Sequence, residues 1–303
     1  MDVSRLINGH ERHTTWITTA DGAHLRVCSF GPSDGPVVVL SHGWACSVEY
    51  WAPQLELADR YHVVAYDQRG HGQSSSGARE ISAGTLADDF ACVMDYVAEL
   101  TGGRRTLTVG HSMGGITLQA WWRDHPDQAR TLSSAAILAN TTHGDIAAGT
   151  RIGAPILNGR RRSHQAIARR LFGAPVRIPR GRASGWAVRR ALMNPRVATR
   201  EHARFVIDVT AACKPRVRAA TALMLADIDV LTPESPIDVP ATVVVGTADR
   251  LTPPSMGLKI ADQLDVAGRL DRVVRLDTGH TGNVEAAGPF NAEIRRMADR
   301  YLV

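Results

Sequence analysis

Lysine is nearly missing from this sequence: Lys214 and Lys259 are the only two, so 33 of the 35 basic residues are arginine. The bias fits a GC-rich coding sequence and carries no functional argument by itself. Cysteine is scarce too. Cys28, Cys46, Cys92 and Cys213 show neither the spacing of a metal site nor the density of a disulfide scaffold, which points to reduced thiols in a cytoplasmic protein. No apolar run approaches membrane-spanning length, and Met1 to Thr15 is polar where a signal peptide would be apolar. No His, Cys, Asp and Glu cluster has metal-ligand spacing, so neither a metal nor a cofactor is expected. The arginines come without a nucleic-acid-binding motif or interleaved aromatics, and there is no internal repeat or low-complexity tract.

What is present is a chain of 303 residues, long enough for one large α/β domain with an insertion. Its net charge of +5 is unevenly distributed: residues 144 to 236 hold 17 Lys+Arg against 6 Asp+Glu, or +11, leaving 18 against 24, or −6, elsewhere. A basic stretch in an acidic body fits a solvated helical surface; it also fits steering of an anionic or carrier-bound substrate. His13 to Thr18 and His24 to Phe30 read as strands joined by the Asp21-Gly22 turn. Val37 to Ser41, His62 to Tyr66, Thr106 to Val109, Ser134 to Ala139, Ala241 to Val245 and Val273 to Leu276 read as strands buried on both faces. Helical stretches such as Leu86 to Leu100 lie between most of them, which implies a mostly parallel sheet with helices on both sides. From about Thr142 to Pro236 the alternation stops. Helices are expected there around Ser163 to Phe172, Gly185 to Met193, Thr199 to Cys213 and Pro215 to Ala226, forming a helical cap (142–236) inserted into a core domain (1–141 and 237–303).

Gly110-His111-Ser112-Met113-Gly114 follows the Thr106 to Val109 strand and opens the helical stretch Gly115 to Asp124. A serine on a strand-to-helix turn needs small residues two before and two after it, because the turn is tight and must lift the hydroxyl clear of the sheet. With the motifs at neighbouring strand ends, the chain resembles the α/β-hydrolase family. His42-Gly43-Trp44 follows the third strand, where the family places an oxyanion-hole loop. Asp67-Gln68-Arg69-Gly70-His71-Gly72-Gln73-Ser74 is similar to its Asp-x-Arg-Gly-x-Gly-x-Ser turn. Gly246-Thr247-Ala248-Asp249 matches its acid position, and Asp277-Thr278-Gly279-His280 its histidine loop. The resemblance implies an α/β-hydrolase fold, an eight-stranded mostly parallel sheet with a helical cap, and the order Ser112, Asp249, His280.

The residue types suit acyl transfer. A serine hydroxyl is hardly ionised near neutrality, so His280 would take its proton during attack, and Asp249 would hold the imidazole. The backbone N–H groups of Trp44 and Met113 would receive the developing oxyanion. Asp249 could instead be a turn former before Pro253 and Pro254, with Asp145 as the alternative acid. His42, His71 and His111 read as packing or hydrogen-bonding residues, and Arg69 as a tie between loops. Trp44, Trp186 and Phe205 are candidate liners of a substrate pocket.

Serine at the nucleophile position disfavours the dehalogenase and epoxide-hydrolase branches, which use aspartate there. The expected activity is hydrolysis of a carboxylic ester, lactone or thioester, of the carboxylesterase or lipase kind, on a small-molecule acyl substrate. Transfer from an acidic acyl carrier, carbon–carbon bond hydrolysis, haloperoxidase-like chemistry and non-hydrolytic ligand binding stay open.

Overall fold

Eight strands form one sheet in the computed structural model, which describes residues 7, 9, 12–144, 146–152, 174–228, 230 and 236–302. They are β1 (Arg12–Thr18), β2 (His24–Phe30), β3 (Val37–Ser41), β4 (His62–Tyr66), β5 (Thr106–His111), β6 (Ser133–Ala139), β7 (Ala241–Gly246) and β8 (Leu270–Leu276). Their order across the sheet is β1-β2-β4-β3-β5-β6-β7-β8, with β2 antiparallel to both neighbours and every other pair parallel. The β1–β2 hairpin turns where Asp21-Gly22 places it, with Gly22 at φ 81° and its N–H donating to Thr19 C=O at 2.9 Å. The described helices are α1 (Ala83–Thr101), α2 (Met113–Asp124), α3 (Pro126–Leu132), α4 (Ile146–Gly149), α5 (Arg182–Leu192), α6 (Arg200–Thr210), α7 (Pro215–Asp227), α8 (Pro254–Val266), α9 (Gly282–Glu285) and α10 (Ala287–Tyr301); a 3-10 helix spans Val48–Asp59.

The continuous apolar runs arise because the central strands face a core on each side. Along β3, Val37 and Val39 pack with Phe90 of α1 and Trp121 of α2, while Val38 and Leu40 pack with Trp51 and with Phe290 and Ile294 of α10. A side-chain period of two sends neighbours to opposite faces, so both positions must be apolar. α1 begins earlier than the apolar periodicity suggests because Ser82 forms a capping box: its hydroxyl accepts the Thr85 N–H at 3.1 Å, and the Thr85 hydroxyl accepts the Ser82 N–H at 2.7 Å. β8 also begins earlier, since Asp271 and Arg272 interrupt its apolar run. Both are satisfied from α10: the Tyr301 hydroxyl donates to Asp271 at 2.7 Å, and Arg272 pairs with Glu293. An edge strand tolerates such side chains because one flank has no ladder partner.

Arg69 does tie loops together, donating to both Asp89 oxygens at 2.6 and 2.7 Å and to Asp21 at 2.9 Å. Between β6 and β7 the described residues hold α4 to α7 and no strand. The expected helix Ser163 to Phe172 lies outside the described residues. α6 buries Ala203, Val206 and Val209 against Tyr50, Cys46, Met193 and Val284, which fastens this insertion to the loops above the sheet. Among the described residues no helix is long and apolar enough to cross a membrane.

Candidate active site

Parallel pairing brings the carboxyl ends of β3, β5, β6, β7 and β8 side by side, where α/β sheets bind ligands. Ser41 of β3 pairs with Gly110 of β5, Ala139 of β6 pairs with His111, and Gly246 of β7 pairs with Leu276 of β8. The loops leaving these ends therefore converge. Ser112 sits between β5 and α2 at φ 53°, ψ −118°, a region that L residues rarely occupy. The conformation persists because its surroundings are over-determined: Ser112 N–H donates to Ala139 C=O at 2.9 Å, and Thr141 Oγ1 donates to Ser112 C=O at 2.7 Å.

The glycines flanking the serine are there for space. A Cβ on Gly110 would lie 2.6 Å from the Gly114 carbonyl oxygen, and one on Gly114 would lie 1.9 Å from the Ser41 carbonyl oxygen. Gly114→Ala is accordingly expected to destabilise the fold by about 3 kcal/mol, since overlap with backbone cannot be relieved by a rotamer change. A urea midpoint equal to wild type would contradict it.

His280 Nε2 lies 3.0 Å from Ser112 Oγ, and His280 Nδ1 lies 2.9 Å from Asp249 Oδ2. All three side chains meet in one hydrogen-bonded line. The Asp249 carboxylate also accepts the N–H groups of Leu251 (2.8 Å) and Thr252 (3.0 Å), the Thr252 hydroxyl (2.9 Å) and the Asn140 amide (3.0 Å). Burial raises its pKa, but the His280 charge, with hydrogen bonds from His280, Asn140 and Thr252, outweighs burial and holds the carboxyl below the usual range. Asp145 lies outside the described residues.

The other histidines of the motifs have different duties. His42 Nδ1–H donates to Gly43 C=O at 2.8 Å while Nε2 accepts the Gln68 N–H at 3.1 Å, and burial drives its pKa well below the usual value. His111 is pushed down to about 3 by burial and by the charge of His280. In its neutral form it donates from Nε2 to the His280 C=O at 2.8 Å. His71, brought to about 4 by burial, donates to Arg69 C=O at 3.0 Å. None of the three is set up as a base.

Ser112 and His280 open into a cavity of about 410 Å³ bounded on one side by the β3–β5 loops and on the other by the insertion. Trp44 lines it, and its indole N–H donates to the Arg218 C=O of α7 at 2.9 Å. Gly43 lies close against the serine turn: a Cβ there would lie 3.2 Å from Ser112 Cβ. Trp186 does not line the cavity; it is 69% exposed, whereas Ala187, Val188 and Ala191 of the same helix face inward. At 3.6 residues per turn Trp186 points roughly 150° away from that face. Phe205 is not a liner either, because it stacks behind Tyr50 with ring centroids 6.4 Å apart, and Tyr50 forms the wall. Among the described residues no group of three His, Cys, Asp or Glu side chains is placed to hold a metal ion.

The model of the family described as serine aminopeptidase, S33, matches residues 33–273. The chain belongs to this family of α/β-hydrolases. A bifunctional esterase/perhydrolase from Acinetobacter calcoaceticus is 37% identical over 102 residues, covering 33% of this chain and 36% of that protein. A non-heme chloroperoxidase from Streptomyces lividans is 37% identical over 101 residues, covering 33% and 35%. The chain spans about a third of the length of these curated relatives. Among solved structures, the enol-lactonase of Burkholderia xenovorans LB400 superposes with a TM-score of 0.71 at 23% identity, covering 94% of this chain and 100% of that one. A malate-bound thermophilic esterase from Thermogutta terrifontis gives 0.74 at 22% identity, covering 95% and 98%. At these identities the structural likeness speaks to the fold alone.

Several residues at the site of this α/β-hydrolase carry no motif. Asn140, just past β6 at φ 47°, donates to both Asp249 Oδ2 (3.0 Å) and Gly279 C=O (3.1 Å), bracing the acid against the histidine loop. The Thr252 hydroxyl lies 2.9 Å from both Asn140 C=O and Asp249 Oδ2, so its one proton is shared between these two acceptors. The insertion reaches the same loop: Leu192 C=O accepts the His280 N–H at 2.6 Å, and Glu285 accepts the Gly279 N–H and the Asn194 N–H. An unpaired polar residue straight after a buried strand was the one sequence signal for Asn140.

Proposed function

We propose that the protein is a serine hydrolase that cleaves a carboxylic ester or lactone through an acyl-enzyme on Ser112. The observation that carries this reading is the line Ser112 Oγ, His280, Asp249, with contacts of 3.0 and 2.9 Å, at the floor of a largely apolar cavity. His280 Nε2 takes the hydroxyl proton as Oγ attacks the carbonyl carbon, and Asp249 stabilises the imidazolium. The N–H groups of Trp44 and Met113, the latter at the positive end of α2, receive the oxyanion, each worth about a hundredfold to a thousandfold in rate. Collapse expels the alcohol, which takes the proton from His280. Water then adds to the acyl-enzyme with the same base, releasing the acid and restoring Ser112. In this reading residues 142–236 act as a cap that shapes the site. Hydrolysis of p-nitrophenyl acetate is expected to stop when one equivalent of phenylmethylsulfonyl fluoride has reacted. Turnover that survives full modification would sink the proposal.

The relatives named perhydrolase and chloroperoxidase favour a second outcome at the same acyl-enzyme. Hydrogen peroxide in place of water would attack the acyl carbonyl and leave as the peracid, with Ser112 regaining its proton. Peracid formation that needs both ester and Ser112 is the expected sign; none above the uncatalysed rate would exclude it.

A further inference from the structure

The wall of the cavity contributed by the insertion holds two pairs of alanines in register. Ala187 and Ala191 lie one turn apart on α5, Ala222 and Ala226 lie one turn apart on α7, and all four line the cavity above Ser112. Residues four apart share a helix face, so each pair forms a stripe where a larger side chain would project into the space. The lining also includes branched apolar side chains, among them Ile116, Ile178, Val206 and Leu225. Arg218 is the one permanently charged side chain among the described lining residues. It is 7% exposed, and its guanidinium donates to the carbonyls of Cys213 (3.4 Å) and Val176, tying α7 to neighbouring loops. These bonds hold the guanidinium against the loops, and the rest of the lining offers an incoming group mostly apolar surface.

We infer that the substrate is an uncharged ester or lactone carrying a saturated or aromatic apolar group, and that the two alanine stripes set how long that group can be. At one water volume of about 30 Å³ per heavy atom, the 410 Å³ cavity accepts roughly a dozen non-hydrogen atoms. Among the described residues of the insertion, Arg218 is the only basic side chain that lines the cavity, so the other described arginines take no part in recognition at the serine. This inference rests on Ser112 being the nucleophile.

Proton release from ethyl esters, acetate through decanoate, tests it alongside the monoethyl esters of matching dicarboxylic acids. Wild type is expected to gain about fourfold in kcat/KM per methylene, the value of burying one, until the cavity fills near octanoate. The monoethyl dicarboxylates should fall about a hundredfold below their neutral counterparts, because an anion enters an apolar site. In Ala191→Leu and in Ala222→Leu the octanoate-to-acetate ratio should drop about tenfold or more, the cost of overpacking. Taking the ratio within each variant removes any uniform loss from folding. A flat chain-length profile would overturn the inference, as would unchanged ratios in both variants. A wild-type preference for the dicarboxylate that Arg218→Met abolishes would replace it with recognition of an anion. If Ser112→Ala still turns over ethyl acetate, the serine-hydrolase reading fails; if turnover needs Ser112 but the profile is flat, this inference alone fails.

Discussion

Replacing Ser112 with alanine is expected to lower kcat for ester hydrolysis by about a millionfold, the loss seen when the nucleophile of another Ser-His-Asp site is removed. The residue that remains keeps His280 and Asp249 aligned, at contacts that do not involve Ser112, but a base without a nucleophile can activate only water that is not positioned for attack. Ser112→Gly should be equally inactive and yet differ in stability. Alanine keeps the Cβ that makes φ 53°, ψ −118° costly, by about 1–3 kcal/mol, while glycine adopts that conformation freely. The glycine variant is therefore expected to melt above the alanine variant, even after the entropy it adds to the unfolded chain. A calorimetric scan with the two in the opposite order would mean that the turn is not strained.

Asp249→Asn is expected to cost about ten-thousandfold in kcat, as the matching change does in a serine protease with the same three groups. Here the reason can be read from the donors. The carboxylate accepts from Leu251, Thr252 and Asn140 besides His280. An amide can accept on only one of its two heavy atoms, so its NH2 must face either the Leu251 and Thr252 N–H groups that now meet Oδ1, or His280 Nδ1 and the Asn140 amide that now meet Oδ2. Facing His280, it forces Nδ1 to accept and Nε2 to carry the proton, which blocks removal of the Ser112 proton. The same carboxylate links stability to acidity. Its folded pKa is depressed below the unfolded value of about 3.9, so it stabilises the fold above that pH and the contribution is lost as pH falls through the folded pKa. Between pH about 5 and about 2, wild type should lose more stability than Asp249→Asn, measured by urea midpoints. Parallel losses would show that the carboxylate gains nothing from its partners.

Much of this site was legible because single residues carried chemical demands. Gly110 and Gly114 mark the turn in the sequence, and the contacts that a Cβ would make at each explain why nothing larger fits. Ser112 is marked by its flanking glycines, and Asp249 and His280 by their resemblance to the family's acid and histidine loops after the seventh and eighth strands; parallel pairing brings those strand ends together. Asn140 and Thr252 escaped notice because hydrogen bonds across 109 and 112 positions of sequence leave no local pattern. Trp186 was misjudged for the reverse reason. Its hydrophobicity suggested a pocket wall, yet the helix turns Ala187, Val188, Ala191 and Leu192 to the cavity, and an alanine facing a cavity looks in sequence like any other helix former. The start of β8 was hidden by Asp271 and Arg272, whose partners lie on α10 and could not be inferred from the strand alone.

The central claim is that Ser112 forms a covalent bond to the acyl group, and labelling with a fluorophosphonate tests it most directly. The serine oxygen displaces fluoride at phosphorus, and intact-mass analysis followed by peptide mapping locates the product. One adduct per chain is predicted, on the peptide containing Ser112, absent in Ser112→Ala and formed far more slowly in His280→Ala. An adduct on any other residue, or ester hydrolysis that continues while Ser112 is fully labelled, would contradict the account.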